Sequence, residues 1–429
     1  MNECRFQFAG RWLAVFLSFC GMAFPFAREV VPAIEPQVTA SSYQPGHSPA
    51  AAIDGDRFSV GEGAGWISQP GATRSWWQID FGHQRRIGAL LQIVGTHAFV
   101  FENAPTHYVW RGSRDGLVWE DLPGARGDQE SRMYRLHRLQ RAQEVRFLRL
   151  EIASCQGVAS CLREVEFYDN PRVAPIFPEW VVAVNVTHDG RLPGHGREFI
   201  PLAQRCDPRI QAQQVWLTDF TPEFLAVEPR PLAAFLSGSF KDWCEVDRTH
   251  WRGVQRVLRE ARTPLWASCG GAQGLAIVAE NGVDAPWDCP HCRDPRHPKL
   301  PIYGHIGHQH PGDAHSCGDY SDCVFERGPH RIRAVLPDPV FSGLDAEFEA
   351  MESHCGQIEF APKGWRVIAV GGQGTKTRNQ CLRLDGRPIY AAQFHIEMDG
   401  TPETSRSIMH GFLGLARDWQ RPRGLLRGR

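Results

Sequence analysis

The sequence has no long run of charge of one sign, and no apolar run long enough to span a bilayer comfortably. Its 47 Lys and Arg residues almost balance 48 Asp and Glu residues, which gives a formal charge of −1. Proteins that bind nucleic acid or an anionic membrane by charge carry a strongly basic surface instead. We therefore expect no nucleic-acid partner, and no transmembrane span once the amino terminus is processed.

The 429 residues are 42% apolar and rich enough in aromatics for large cores, and the length favours two globular domains. Arg5 and Arg11 precede a short apolar stretch that ends in small residues. Residues 1–27 are therefore interpreted as a secretory signal cleaved near Ala27, with an uncleaved anchor as the alternative. A cleaved signal predicts a secreted or periplasmic protein.

Cysteine usage supports export. Two of the 13 cysteines lie in the predicted signal, and setting aside one candidate nucleophile leaves an even number. Disulfides and one free thiol would account for them, as expected in an oxidising compartment. Cys155 and Cys161 are close in sequence and are predicted to form a local disulfide.

The stretch TPLWASCGGAQGLAIVAE, residues 263–280, places a cysteine among small residues between two apolar runs. The pattern predicts a strand, a sharp turn and a helix. Gly270 and Gly271 would let a substrate approach Cys269 closely. The start of the helix would direct backbone N–H groups and its positive dipole end at the sulfur, which favours a thiolate. Cys269 is therefore a candidate nucleophile.

A nucleophilic thiol needs a base and a group that orients the base. Residues 390–400, YAAQFHIEMDG, predict a short strand that ends in His395, with Glu397 two residues further on. Residues two apart on an extended chain share one side, so the pair suits a relay with Cys269. Taken singly, a buried cysteine or a lone histidine is more often structural. The complete set favours catalysis.

Residues 179–420 resemble the class I glutamine amidotransferase domain, the type found in GMP synthase and anthranilate synthase. The family motif G-x-C-x-G-x-Q is matched by residues 267–273 apart from an alanine at its first position, and Q-F-H-P-E is matched by residues 393–397 apart from Ile at its fourth. The resemblance implies a catalytic set of Cys269, His395 and Glu397.

Two further loops resemble the oxyanion and substrate loops of that family but depart from them. Residues 236–240, LSGSF, align with L-S-G-G-P, and residues 353–356, SHCG, align with S-H-x-D. A serine replaces the second glycine of the first motif and a glycine replaces the aspartate of the second, so glutamine itself stays open as the substrate. The resemblance implies oxyanion or substrate-binding roles for Gly238, Ser239, Gly270, Gly271, Gln273, Ser353 and His354.

Residues 30–170 change to short β-rich runs in which apolar and polar positions alternate, as is typical of a sandwich. The runs WWQIDFG at 76–82 and EVEFY at 164–168, with the AIDG turn at 52–55, resemble the F5/8 type C, or discoidin, family of galactose-binding-like jelly rolls. The resemblance implies a glycan or another cell-surface ligand.

Two features of this segment carry binding hypotheses. Asp54 and Glu164 stand where the family would place calcium ligands, and carboxylate oxygens suit that ion. The alternative is a turn-forming aspartate and a solvated glutamate. Trp66, Trp76 and Trp77 form a sugar platform in one interpretation and part of the core in the other.

The remaining organisation follows from periodicity. Residues 171–178 are proline-rich and predict a linker of restricted flexibility, and residues 421–429 predict a frayed tail. Between them, alternating strand and helix patterns predict a doubly wound, mostly parallel α/β sheet with its site at the carboxyl ends of the strands. The fold class is thus an all-β jelly-roll sandwich followed by an α/β domain.

An insertion at residues 287–323 follows the predicted nucleophile helix. It holds six histidines and four cysteines: Cys289, Cys292, Cys317 and Cys323. Three interpretations stay open, namely a disulfide-stapled lid over the pocket, a zinc site, or neither.

Together these features predict an exported cysteine hydrolase that acts on a γ-glutamyl-type or other small amide. Cys269 would attack the carbonyl, His395 would shuttle the proton and Glu397 would orient His395, with no cofactor required for catalysis. Hydrolysis rather than transfer is expected because no synthase domain accompanies the motifs. The alternatives are an inactive binding or scaffold protein that keeps the fold, and an amidotransferase component that donates ammonia to a synthase.

Overall fold

The computed structural model describes residues 35–57, 63–71, 74–95, 103–172, 179–187, 196–226, 228–239, 243, 246–285, 287, 301–306 and 323–421. The predicted signal, most of the linker and of the insertion, and all but the first residue of the tail lie outside these described residues. Within them, no helix has the length and apolar character needed to cross a membrane.

The amino-terminal domain consists of antiparallel strands: β1 Gln37–Ala40, β2 Trp66–Ile67, β3 Ser75–Ile93, β4 Pro105–Ser113, β5 Glu120–Gly127, β6 Tyr134–Cys155, β7 Cys161–Leu162 and β8 Glu164–Tyr168. The main sheet has the order β1-β3-β6-β4-β5, and the second half of β3 also pairs with β8. Buried and half-buried residues alternate through the first half of β3, as expected when one face of a sheet lies on the core. The predicted all-β sandwich is confirmed.

The carboxy-terminal domain alternates strands and helices. They are β9 Trp180–Asn185, α1 Phe199–Cys206, β10 Gln211–Trp216, α2 Pro222–Ala226, β11 Ala233–Leu236, α3 Arg252–Glu260, β12 Leu265–Ser268, α4 Gly270–Asn281, β13 Tyr303–His305, β14 Glu326–Ala334, β15 Glu347–His354, β16 Gly356–Ile358, β17 Trp365–Gly371, β18 Asn379–Leu384, β19 Ile389–Ala392 and α5 Pro402–Gln420. β13 pairs with β16 in a small separate sheet.

The large sheet is parallel in the order β10-β9-β11-β12-β19 and continues with antiparallel β18-β17-β14-β15. The predicted α/β fold is confirmed, but the antiparallel share is larger than the sequence indicated. The connections from β17 to β18 and from β18 to β19 are too short for a parallel neighbour, which needs a crossover of a dozen residues or more. Gly386, with a φ of 72°, lies in the short turn from β18 to β19.

The side chains of consecutive residues in the central strands point to opposite faces of the sheet. Val181 and Ala183 of β9 belong to the core that includes α1 and α5, whereas Val182 and Val184 belong to the core that includes α3 and α4. A strand that is buried on both faces needs apolar residues at consecutive positions, which explains the VVAV sequence of β9.

The start of β6 packs against the second domain. The ring of Tyr134 lies edge-on to that of Trp180, with centroids 5.3 Å apart. The buried amide of Gln213 accepts from the Met133 N–H at 3.0 Å and donates to the Ser131 carbonyl at 2.8 Å. The two domains therefore share a buried contact in addition to the linker.

The predicted disulfide between Cys155 and Cys161 is not formed, and all seven cysteines among the described residues are thiols. The Cys161 sulfur is buried in the β2–β7 pair and accepts from the Gly95 N–H at 3.0 Å, whereas the Cys155 thiol donates to the Gly157 carbonyl at 3.7 Å. Nearness in sequence did not bring the sulfurs to bonding distance, because the loop directs the two side chains to different partners.

Candidate active site

Three neighbouring parallel strands end at one edge of the large sheet, and a predicted site residue follows each of them. Gly238 follows β11, Cys269 follows β12 and His395 follows β19. The register pairs Ser268 with Ala392, and the Cys269 N–H donates to the Ala392 carbonyl at 2.8 Å. Segments far apart in sequence therefore meet because parallel pairing aligns their carboxyl ends.

Cys269 lies on the predicted sharp turn between β12 and α4. Its φ of 49° and ψ of −117° are strained for a residue with a side chain, and the residue is only 5% exposed. A Cβ on Gly271 would lie 2.4 Å from the Ser237 carbonyl oxygen, so that position must be glycine. The turn presents the sulfur at the start of α4, where backbone N–H groups point outward.

The backbone of the loop after β11 approaches the same turn. A Cβ on Gly270 would lie 2.3 Å from the backbone nitrogen of Ser239, so the two loops approach too closely there for a side chain on Gly270. A Cβ on Gly238 would lie 3.4 Å from Cε1 of His395 and 3.7 Å from Cβ of Cys269. Gly238, Ser239 and Gly270 thus surround the sulfur with backbone, as an oxyanion hole requires.

His395 and Glu397 form a buried hydrogen bond, with Nδ1 of the imidazole 2.6 Å from Oε1 of the carboxylate. β19 ends three residues before His395, earlier than predicted, and the His395 N–H donates to the Met351 carbonyl at 2.8 Å in an isolated bridge. That bridge, rather than a continuous strand, fixes the orientation of the histidine.

The charges of this pair stabilise each other. Burial acts to lower the pKa of His395, but the Glu397 carboxylate and the Cys269 thiolate outweigh it and hold that pKa well above its ordinary value. Burial acts to raise the pKa of Glu397, but His395 holds it below its ordinary value. Nε2 of His395 is buried, and the interaction of this side chain with that of Cys269 also raises the pKa. With Nδ1 committed to Glu397, Nε2 is the nitrogen left to exchange a proton with Cys269.

Gln273 connects helix α4 to the predicted substrate loop. Its Nε2 donates to the Gly356 carbonyl at 2.9 Å, and its Oε1 accepts from the Trp243 indole at 3.3 Å. The Cys269 thiol makes a long contact of 3.9 Å to the Ser353 carbonyl of the same loop. The structure therefore brings the residues of both predicted motifs together around one sulfur.

Both ring nitrogens of His354 hold the substrate loop in place. Nδ1 lies 2.9 Å from the Gly356 carbonyl and Nε2 lies 2.7 Å from a Glu352 carboxylate oxygen. Burial acts to lower the pKa of His354, but Glu352, Cys269 and Glu326 outweigh it and raise that pKa. The loop is thus tied to a buried ion pair.

Sequence reasoning did not single out Glu352, which is fully buried beside this imidazole. Exposed or half-buried residues alternate with buried ones along β15, EFEAMESH, and Glu352 and His354 fall on the buried side. That period of two was the signal that could have found the pair, because a carboxylate on the inner face needs a buried partner.

The predicted calcium ligands are neighbours in the amino-terminal domain. Glu164 is 2% exposed, which contradicts the solvated alternative, and its Oε2 accepts from the Gly55 N–H at 3.1 Å. Burial raises the pKa of Glu164 to about 8, opposed by that hydrogen bond and reinforced by the Asp54 and Glu166 carboxylates. A cation beside these oxygens would relieve that unfavourable charge, so the residues fit calcium.

The three tryptophans separate into two groups. Trp66 and Trp77 are fully buried in the core, so the sugar-platform interpretation is wrong for them. Trp76 is half-buried with the Arg149 guanidinium 5.1 Å above its ring, and it lines a cleft with His107, Arg126 and other polar residues.

Comparison with known proteins agrees with both domains. Residues 37–167 match the F5/8 type C domain family, and residues 210–415 match the class-I glutamine amidotransferase family. The chain therefore carries an F5/8 type C domain followed by a class I glutamine amidotransferase domain.

Individual relatives are distant or cover little of the chain. The glutamine-hydrolysing GMP synthase of Thermosipho africanus is 35% identical over 83 residues, which are 18% of this chain and 16% of that enzyme. A solved structure of a GMP synthase component from Thermoplasma acidophilum is 18% identical, with a TM-score of 0.39, and the match covers 57% of this chain and 96% of that one. A family 32 carbohydrate-binding module from Clostridium perfringens, solved with galactose, is 14% identical with a TM-score of 0.26 over 31% of this chain and 92% of that one.

Backbone strain at Cys269 yields a stability prediction. Because glycine tolerates a φ of 49° and alanine does not, Cys269→Gly should exceed Cys269→Ala in free energy of unfolding by about 1 kcal/mol. Urea denaturation of the two variants measures the difference. Equal stabilities would show that the turn relaxes and stores no strain.

Proposed function

We propose that this protein is a cysteine-dependent hydrolase of a γ-glutamyl-type or other small amide, held at a glycan-bearing surface by its F5/8 type C domain. The observation that carries the proposal is the convergence of Cys269, His395 and Glu397 at one sheet edge, next to the backbone of Gly270 and Ser239. The class I glutamine amidotransferase domain supports amide chemistry in particular.

In the proposed mechanism, the Cys269 thiolate attacks the amide carbonyl carbon, and the carbonyl oxygen becomes an oxyanion that accepts from the N–H groups of Gly270 and Ser239. His395 donates its Nε2 proton to the amide nitrogen, so that the carbon–nitrogen bond breaks and the amine or ammonia leaves. Water, deprotonated by the now neutral His395, then attacks the thioester and releases the acid and the thiolate. Glu397 keeps Nδ1 protonated throughout.

A thiol-reactive glutamine analogue tests this function. We expect it to add one mass label at Cys269, and we expect Cys269→Ser to remove the label and to lower amide hydrolysis by about a thousandfold or more. Peptide mass spectrometry and ammonia release from glutamine and γ-glutamyl amides are the measurements.

Cys206→Ser is a matched control, since Cys206 is a half-buried thiol that hydrogen-bonds to the Arg406 carbonyl instead. It should keep both label and activity. A folded wild type whose Cys269 stays unlabelled, and which hydrolyses none of these amides, would favour the scaffold alternative.

The raised pKa of His395 yields a pH prediction. The imidazolium that protonates the leaving group is present below the folded pKa and is lost as pH rises through it, so its loss sets an alkaline limb of kcat/KM above the ordinary histidine range. Glu397→Gln removes the charge that raises this pKa, and the alkaline limb should move to lower pH.

The exposed Glu403 provides the control for this profile, and Glu403→Gln should leave it unchanged. An alkaline limb at the same pH in wild type and in Glu397→Gln would contradict the proposed role of the carboxylate.

Carbohydrate binding is proposed for the cleft that contains Trp76 and the exposed Arg126, since an aromatic face combined with charged hydrogen-bonding groups suits a sugar. Arg126→Ala should weaken binding of β-galactosides about tenfold in calorimetric titration. Arg141→Ala, an exposed arginine that does not line the cleft, should leave affinity unchanged. Equal affinity of both variants would remove the cleft as the site.

The proposal also includes a bound calcium ion in the amino-terminal domain and export of the protein. Calcium at Asp54 and Glu164 would stabilise the domain, and a melting temperature that does not respond to calcium would contradict it. Cleavage of residues 1–27 would place the protein outside the cytoplasm, and a mature chain that begins at Met1 would contradict that.

A further inference from the structure

A cluster of metal-ligating side chains lies beside the substrate loop. Nδ1 of His305 is 3.6 Å from Sγ of Cys323 and 3.8 Å from Sγ of Cys355, and the three ligand atoms all lie within 4.8 Å of one another. His305 is fully buried and Cys355 nearly so. We propose that these three residues bind one zinc ion, which fixes the substrate loop in position.

The distances fit a tetrahedral ion. With Zn–N near 2.0–2.1 Å and Zn–S near 2.3 Å, tetrahedral angles separate a nitrogen ligand from a sulfur ligand by about 3.5 Å. The two observed nitrogen–sulfur distances lie within a few tenths of an ångström of that value. Both nitrogen–sulfur distances are therefore already close to those of a zinc site, and the two sulfurs lie within 4.8 Å of each other.

A contact of Nε2 of His305 favours the tautomer in which Nδ1 can bind the metal. Nε2 of His305 lies 3.4 Å from the Tyr303 hydroxyl, so Nε2–H can donate to it and leave the lone pair on Nδ1, the atom that faces both sulfurs. Histidine ligands of zinc commonly have such an outer partner, which sets the tautomer and the ring orientation.

The strands hold the ligands at fixed separation. β13, which ends in His305, pairs with β16, and the Ile306 N–H donates to the Cys355 carbonyl at 2.8 Å. A Cβ on Gly356 would lie 2.5 Å from the Tyr303 hydroxyl oxygen. The glycine that replaces the family's aspartate in the substrate loop thus leaves room for the side chain of Tyr303, which a larger residue would have to displace.

The donor set selects the kind of metal. Two thiolates and one imidazole suit zinc, whereas calcium and magnesium require oxygen ligands. Binding displaces the thiol protons of Cys323 and Cys355 and forms two Zn–S bonds and one Zn–N bond, without a change of oxidation state. Cys289, Cys292 and Cys317, the other cysteines of the insertion, lie outside the described residues.

Because Cys355 belongs to the substrate loop, a metal ion bound to it would affect the position of that loop. Cys355 directly follows Ser353 and His354, and the same loop contacts the Cys269 thiol and accepts from Gln273. A bound ion would tie this loop to β13 and keep it against the nucleophile. The role is structural, and the metal is not part of the proposed bond-breaking steps.

Metal content tests the proposal without reference to activity. The full chain, purified in a reducing buffer and dialysed against zinc, should contain one zinc ion per chain by elemental mass spectrometry. Cys323→Ser should weaken zinc binding at least about a hundredfold, because loss of an outer partner alone costs 10–100-fold. Cys155→Ser, a thiol outside the cluster, should keep the full content.

Cobalt and chelation provide independent measurements. Co²⁺ in place of zinc should give thiolate charge-transfer absorption that Cys323→Ser reduces, and removal of zinc by a chelator should lower the melting temperature reversibly in the wild type. The chelation experiment uses only the wild type, so it tests the proposal even if a variant fails to fold. A reduced wild type that takes up no zinc, or a Cys323–Cys355 disulfide found in the purified protein, would overturn the proposal.

Discussion

Parallel pairing of β11, β12 and β19 is the constraint on which the candidate site depends. Because these strands run in one direction and in register, the loops that follow them meet at one edge of the sheet. The sulfur of Cys269 is then held by a strained turn, and the imidazole of His395 by a bridge to β15. Neither side chain could keep its place if the register slipped by one residue, because every side chain would change face.

The loop from residue 353 to 356 joins the site to the rest of the domain. Ser353 of this loop contacts the nucleophile, His354 pairs with the buried Glu352 carboxylate, and Gly356 pairs with β13. The insertion is therefore part of the site, because its strand β13 pairs with β16, which begins at the last residue of the substrate loop. Gly356, where the chain departs from the family motif, leaves room for Tyr303 of that strand.

Local patterns determined much of the fold and of the site. The glycines after Cys269 predicted room for a substrate, and in the structure Gly270 and Gly271 admit the backbone of the loop after β11. Alternation of apolar and polar residues predicted the sandwich, and alternating strand and helix patterns predicted the mostly parallel α/β sheet. The predicted Cys155–Cys161 disulfide is wrong, because proximity in sequence says nothing about the direction in which a loop points its side chains. The sugar platform is wrong for Trp66 and Trp77, whose strands direct both side chains into the core.

The sequence by itself indicated Cys269, His395 and Glu397 as candidate catalytic residues, since motif spacing and small neighbours are local properties that can be recognised without coordinates. Only the tertiary structure decided which of them meet. The sequence does not distinguish Cys355, or His305 among the six histidines of the insertion, as a metal ligand. The pairing of β13 with β16 places their ligand atoms together. The physical reason is that strand pairing joins residues by hydrogen bonds between distant segments, and no local pattern encodes which segments those are.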